Sequence, residues 1–141
     1  MRKTLIASGC ALALVAGGCG SDNSAKRKTA CANALRAMNA YHAAGEGVGT
    51  DFLNRTKDEP VIAAAAAFRA QLGRLEPLTS RSEREQLQGL DGALEQHEKL
   101  LHALAFRNFP EAHKYATTAF EEALETGQTN FRAICKVPQP K

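Results

Sequence analysis

Apolar residues follow the helical period most regularly in residues 80–105, which read SRSEREQLQGLDGALEQHEKLLHALA. Five leucines and one histidine recur every three or four residues, at Leu87, Leu90, Leu94, His97, Leu101 and Leu104. That spacing places the six side chains on one face of an α-helix. Ser80 and Ser82 are each followed three residues later by a glutamate, the spacing of a capping box, so either serine could begin the helix. This stretch predicts a long amphipathic helix with one face in a core.

Two earlier helices are predicted on the same grounds. The first runs from about Thr29 to Ala44 and ends at a glycine cluster. Its apolar stripe consists of Cys31, Leu35, Met38 and Tyr41 or His42. The second begins near Thr56, tolerates Pro60 in its first turn and ends before Pro77. Its stripe consists of Val61, Ile62, Ala65, Phe68, Leu72 and Leu75. The connection over residues 45–58 is the longest, and its Phe52 and Leu53 are expected to contact the core.

The last helix is predicted to begin at Asn108, with Pro110 in its first turn and Glu111 at the capping-box position. Its stripe consists of His113, Ala116, Phe120, Leu124, Phe131 and Ile134. Gly127 is expected to kink or fray this helix. Only five valines and isoleucines follow residue 19, which disfavours sheets. Four amphipathic helices with mostly short turns predict an all-α, up-down-up-down four-helix bundle.

The start of the chain has the order of a secretory signal peptide. Arg2 and Lys3 are followed by an apolar run, two glycines and Cys19. The run is interrupted by Ser8-Gly9 and is shorter than the roughly 20 residues that a membrane-spanning helix needs. This order predicts export across the plasma membrane.

The stretch Val15-Ala16-Gly17-Gly18-Cys19 resembles the lipobox of bacterial lipoproteins. The resemblance implies a lipid on the Cys19 sulfur, with palmitate-type acyl chains, and cleavage before that residue. It covers about the first twenty positions and implies location only: the cell membrane, with the domain on the extracytoplasmic side. Ala16 departs from the pattern, since such boxes more often carry leucine there. Ordinary cleavage near Ala16-Gly17 and an uncleaved anchor are the alternatives, and Cys10 is a weaker second match that we discard.

These boundaries divide the chain into a cleaved signal peptide (1–18), a flexible tether (19–28), a four-helix domain (29–137) and a short tail (138–141). In an up-down-up-down bundle, the start of the first helix and the end of the fourth share one end, where Cys31 and Cys135 are found. An extracytoplasmic setting permits disulfides. With Cys19 acylated and Cys10 removed, these two cysteines have only each other to pair with. A Cys31–Cys135 disulfide is therefore predicted, the alternative being two buried free thiols.

Charge restricts the partners. Without Arg2 and Lys3 the chain carries 16 basic and 15 acidic residues, so it lacks the strong positive charge of a nucleic-acid-binding protein. The run Lys26-Arg27-Lys28 is within reach of anionic lipid head groups if the anchor forms, although a solvated linker is an equal interpretation. The expected partner is the membrane, through the lipid on Cys19, and another envelope protein is a candidate second partner.

No pattern points to catalysis, and no cofactor is predicted. His42, His102 and His113 are weak candidates for a metal site near one level of the bundle, but His102 lies off the apolar stripe and no His-Glu-x-x-His motif occurs. Haem between Met38 and His113 or His97 is conceivable, but no Cys-x-x-Cys-His motif is present. We therefore expect a non-enzymatic binding or envelope-interaction module. The alternative is a carrier of a small ligand, metal or haem in the bundle interior, near His42, His113 and the 45–58 connection.

Overall fold

The computed structural model describes residues 19–46 and 55–136 of the 141-residue chain. In these two ranges the chain forms five α-helices and one short 3₁₀ turn, without a strand. The helices are α1 (Cys19–Glu46), α2 (Arg55–Leu75), α3 (Arg81–Ala105), α4 (Phe109–Tyr115) and α5 (Thr118–Ile134), and the 3₁₀ turn is Glu76–Leu78. The expected signal peptide, the Phe52 and Leu53 contacts and the tail at 138–141 lie outside the described residues.

The four long helices form the predicted all-α, up-down-up-down bundle. Helix α1 packs on α2, α2 on α3, and α3 on both α4 and α5. The core consists mainly of the apolar stripes that the helical period predicts: Cys31, Met38, Tyr41, Val61, Ala65, Phe68, Leu72, Leu75, Leu87, Leu90, Leu94, Leu101, Phe131 and Ile134 are all buried. Phe68 of α2 and Phe131 of α5 meet edge-on at its centre, with ring centroids 5.5 Å apart.

Polar caps set where three helices begin. Ser80 caps α3 with a complete capping box, since its hydroxyl accepts from the Glu83 backbone N–H and the Glu83 carboxylate accepts from the Ser80 N–H. Of the two possible serines, Ser80 is therefore the cap. Asn108 caps α4, as predicted, by accepting from the Glu111 N–H, and Thr117 caps α5 by accepting from the Phe120 N–H.

The prediction of one helix from Asn108 to Ile134 is wrong, because the helix is broken at Ala116 and Thr117. Thr117 has extended backbone and starts a new helix, which turns the predicted stripe residues His113 and Ala116 to the surface. Ala112 is buried in α4 instead. The helix does not fray at Gly127: α5 runs unbroken through this residue, which is buried against Leu90 of α3.

The prediction of a flexible tether over residues 19–28 is wrong as well, since these residues form the first turns of α1. Lys26 pairs with Asp22 one turn earlier at 2.7 Å. Both guanidinium nitrogens of Arg27 bind the Glu83 carboxylate, at 2.6 and 3.2 Å, and one also donates to the Ile134 carbonyl at 3.1 Å. Arg27 thus ties α1 to the start of α3 and the end of α5. We call residues 19–26 of α1 the stalk.

The predicted disulfide between Cys31 and Cys135 is present, with Cα atoms 5.5 Å apart, so the alternative of two free thiols is excluded. The bond joins α1 to the residue that ends α5. It closes the bundle at the end where the stalk leaves it, which we call the anchor end.

Candidate functional site

A shallow cleft of about 380 Å³ lies away from the anchor end, where α1, α2, α3 and α5 come together. Its lining includes Tyr41, His42, Val61, His97, Leu124 and Gln128. Tyr41 follows Met38 by one turn of α1, and His97 follows Leu94 by one turn of α3. The same apolar stripes that build the core therefore carry two polar rings into the wall of the cleft.

Tyr41 and His97 form a hydrogen-bonded pair, through the tyrosine hydroxyl and Nδ1 of the imidazole. The tyrosine ring meets the histidine edge-on with centroids 5.7 Å apart, and the Phe120 ring lies 5.7 Å from the same imidazole. Burial raises the pKa of Tyr41 well above its ordinary value and lowers the pKa of His97. Both side chains are therefore neutral at pH 7, and which of the two donates in this hydrogen bond depends on which imidazole nitrogen carries the proton.

This electrostatic arrangement suits binding better than proton transfer. A general acid or base works best when its pKa lies near the working pH, and burial moves the pKa of Tyr41 further above 7 and that of His97 further below 7. The pair instead presents a fixed polar edge in a mostly apolar cleft, which resembles small-ligand sites in chemistry although not in depth.

The three weak metal candidates are not brought together. His42 is half-buried beside the cleft, with its ring 5.6 Å from Tyr41, whereas His102 of α3 and His113 of α4 are exposed. Within residues 19–46 and 55–136, no three histidine, cysteine or acidic side chains are grouped to hold a metal ion. Met38, the conceivable haem ligand, is fully buried in the core, while His97 is bonded to Tyr41 and His113 lies on the surface.

The structure contains a half-buried ion-pair network between α2 and α3 that the sequence analysis did not predict. The Arg69 guanidinium contacts Asp91 at 3.0 Å, Glu98 at 3.3 Å and Glu95 at 3.4 Å. The three acids are four and three residues apart, so they share one face of α3. The spacing of the three acids can be recognised in the sequence, but the sequence does not show that their basic partner is Arg69 on another helix. The network aligns α2 with α3.

Asp58 is a buried carboxyl near the start of α2, one turn before the cleft residue Val61. It has no exposed surface, and burial raises its pKa. Neither of its carboxylate oxygens has a hydrogen-bond partner in the described part of the chain. Burial away from water disfavours the charged form of a carboxyl, which is the cause of this raised pKa.

Two large aromatic side chains are exposed where α3 turns into α4. Phe106 retains 65% of its surface and Phe109 retains 53%. This turn lies at the opposite end of the bundle from Cys31 and Cys135. We call Phe106 and Phe109 the aromatic tip.

Cys19, the residue expected to carry lipid, is the first residue of α1, and its side chain lies outside the described atoms. None of the helices in the described ranges combines the length and the apolar character needed to cross a bilayer. Comparisons with protein-family models, with curated proteins and with solved structures find no match to this chain.

Proposed function

We propose that the protein is a lipid-anchored extracytoplasmic module without catalytic activity, which displays the far end of its bundle away from the membrane. The observation that carries this proposal is the continuity of α1 from Cys19 to Glu46. A lipid on Cys19 would be attached to the first residue of a core helix. The anchor and the bundle would then move as one body.

The geometry gives the two ends different roles. Eight stalk residues span about 12 Å at the rise of an α-helix, so the bundle would stand close to the bilayer surface. The aromatic tip at the opposite end supports a partner-binding role, because exposed aromatic residues are enriched in protein interfaces. The neutral Tyr41–His97 pair favours binding over acid–base catalysis at pH 7.

Intact mass of the protein from its native membrane tests the anchor. We expect an acylated chain beginning at Cys19. Cys19→Ser should leave the chain unacylated and release it from the membrane, whereas the matched Cys10→Ser variant should be processed normally. An unacylated chain cleaved near Gly17, or one retaining residues 1–18, would contradict the anchor.

Site-specific cross-linking tests the aromatic tip. Phe109 is replaced by a photo-reactive phenylalanine analogue in native membranes, and exposed Glu85 at the anchor end receives the same analogue as a control. We expect one defined protein adduct from position 109 and none of the same mass from position 85. Equal adducts from both positions, or none from 109, would count against a partner-binding tip.

A second candidate function is carriage of a small, mostly apolar ligand in the cleft. The observation that favours it is the polar Tyr41–His97 edge in an otherwise apolar wall. Native mass spectrometry of the membrane-purified protein should then show a bound small molecule that Leu124→Phe displaces. The exposed variant Ala123→Ser, one residue away, should retain it. Identical spectra for all three proteins would argue against carriage.

A further inference from the structure

Charge is segregated along the bundle axis. The anchor end comprises residues 22–31, 72–85 and 131–136, and it holds eight basic and four acidic side chains. The basic residues are Lys26, Arg27, Lys28, Arg74, Arg81, Arg84, Arg132 and Lys136. The remaining described side chains, in residues 32–46, 58–71 and 86–130, number five basic and ten acidic. Among the described side chains, the anchor end is therefore positive and the rest of the bundle is negative.

Several of these cations are free to meet another charged surface. Lys28 and Arg74 are exposed on α1 and α2, and Lys136 is exposed just after α5. In the described part of the chain none of these three forms an ion pair with a carboxylate, unlike Lys26 with Asp22. Their positive charges are not neutralised within the anchor end.

A mostly apolar groove opens beside Lys28 and Lys136. It occupies about 860 Å³ in the corner between the stalk and the end of the bundle. Leu35, Leu78 and Ile134 contribute to its lining, and Lys28 and Lys136 are at the same groove. Apolar surface beside lysine is the combination found on proteins that lie at the boundary between lipid head groups and acyl chains.

We propose that the anchor end is a docking surface for an anionic lipid bilayer. Phosphate oxygens of acidic lipids would accept hydrogen bonds from Lys28, Arg74 and Lys136, while the apolar lining of the groove meets the upper acyl region. The net negative charge of the rest of the described bundle is repelled by the same surface, so the anchor end faces the membrane. The direction of this surface toward the membrane rests on the proposed anchor at Cys19, but its affinity for lipid does not require the anchor.

Vesicle binding by the unlipidated chain tests the surface. All described helices lie within residues 19–136, so the chain from residue 19 with Cys19→Ser retains the whole described fold. We expect it to bind vesicles in which phosphatidylglycerol replaces a third of the phosphatidylcholine, and to be released by molar salt. Each cation near such a surface contributes about a fivefold change in affinity, so the triple variant Lys28→Gln, Arg74→Gln, Lys136→Gln should bind roughly a hundredfold more weakly.

The matched control is Arg36→Gln, Lys99→Gln, Lys114→Gln, which changes the net charge by the same amount away from the anchor end. It should bind almost as the parent does, and circular dichroism checks that both variants are folded. Equal loss in the two variants, no binding by the parent, or equal binding to phosphatidylcholine alone would overturn the proposal. Because no lipid is attached in this assay, a selective loss in the anchor-end variant supports the surface even if Cys19 proves not to be acylated.

Discussion

Gly127→Ala should destabilise the protein, although alanine is the better helix former. Gly127 lies in α5 where this helix packs closely against α3. A Cβ added there would lie 2.9 Å from Leu90 Cβ, 3.0 Å from its Cδ1 and 3.1 Å from its Cα. Two of these three atoms cannot move by a rotamer change. The methyl group can be accommodated only if the two helices separate.

The size of the effect follows from two opposing terms. Bringing the 2.9 Å contact to the 3.4 Å at which ordinary van der Waals contact begins requires a shift of 0.5 Å between packed helices. Overpacking of this kind costs about 1–3 kcal/mol, and the rigid neighbours favour the upper part of that range. Replacing glycine by alanine inside a helix contributes about 1 kcal/mol in the opposite direction. We therefore expect the free energy of unfolding to fall by about 2 kcal/mol.

Urea unfolding measures this loss as a lower midpoint at unchanged slope, with a melting temperature lower by roughly 10 °C. Gly73→Ala in α2 and Gly92→Ala in α3 are the controls, because a Cβ at either position meets no atom within 4 Å. These two variants should gain up to about 1 kcal/mol from helix propensity. If Gly127→Ala gains stability as they do, the close α3–α5 approach is not a constraint and the reasoning fails.

Three further perturbations have defined outcomes. Replacing Cys31 and Cys135 together by alanine opens a loop with a sequence separation of 104 and should lower the free energy of unfolding by roughly 4.7 kcal/mol; a loss below about 1 kcal/mol in urea would contradict this. Arg107 has a φ of 55° at the end of α3, so Arg107→Gly should raise the free energy of unfolding by up to about 1 kcal/mol; a lower melting temperature than that of the parent would be the contrary result. The hydrogen bond from Arg27, followed by that from the Ser80 backbone, holds the pKa of Glu83 at about 2, below its unfolded value. The stabilisation by Glu83, about 1 kcal/mol for a partly exposed pair, is complete above pH 4.5 and is lost as the pH falls to 2. In Glu83→Gln the urea midpoint should therefore depend less on pH between 4.5 and 2 than it does in the parent. An unchanged pH dependence would show that this pair is not its source.

The core was predictable because burial follows the helical period directly. In α2 and α3 the stripes through Phe68, Leu72, Leu90 and Leu94 are buried as their spacing indicates. The disulfide was predictable for a different reason: topology alone places Cys31 and the end of α5 together. The burial pattern can be inferred from each helix alone, and the disulfide can be inferred from the order of the helices along the chain.

What the sequence failed to indicate depends on contacts between helices. The helix break at Ala116 and Thr117 occurs within a stretch whose apolar residues continue the helical period. The sequence therefore does not mark Thr117 as an N-cap, because nothing local shows that the chain turns there. Similarly, residues 19–28 lack an apolar stripe, yet Arg27 holds them in helix through Glu83, which is 56 positions away. No local pattern encodes such a pair.

The candidate site shows the same division. His97 was placed on an apolar stripe, and Tyr41 was one of two alternatives, with His42, for another, but the pairing of Tyr41 with His97 requires the register between α1 and α3. The metal hypothesis for His42, His102 and His113 rested on a shared level along the bundle axis, although His102 already lay off the apolar stripe. The structure turns the last two outward, because level along the axis does not fix rotation about it.

The disulfide has a mechanical consequence. Tension applied between residue 19 and residue 136 would run down the stalk to Cys31, cross the sulfur–sulfur bond and leave through Cys135. The helices between the two cysteines lie in a covalent loop outside that line of force and would stay folded under a load that stretches the ends. Reduction would expose the loop to the load, and unfolding it would lengthen the chain by up to about 340–370 Å, at 3.3–3.6 Å for each of the 104 residue steps. The bundle is thus insulated from pulling for as long as one bond stays oxidised.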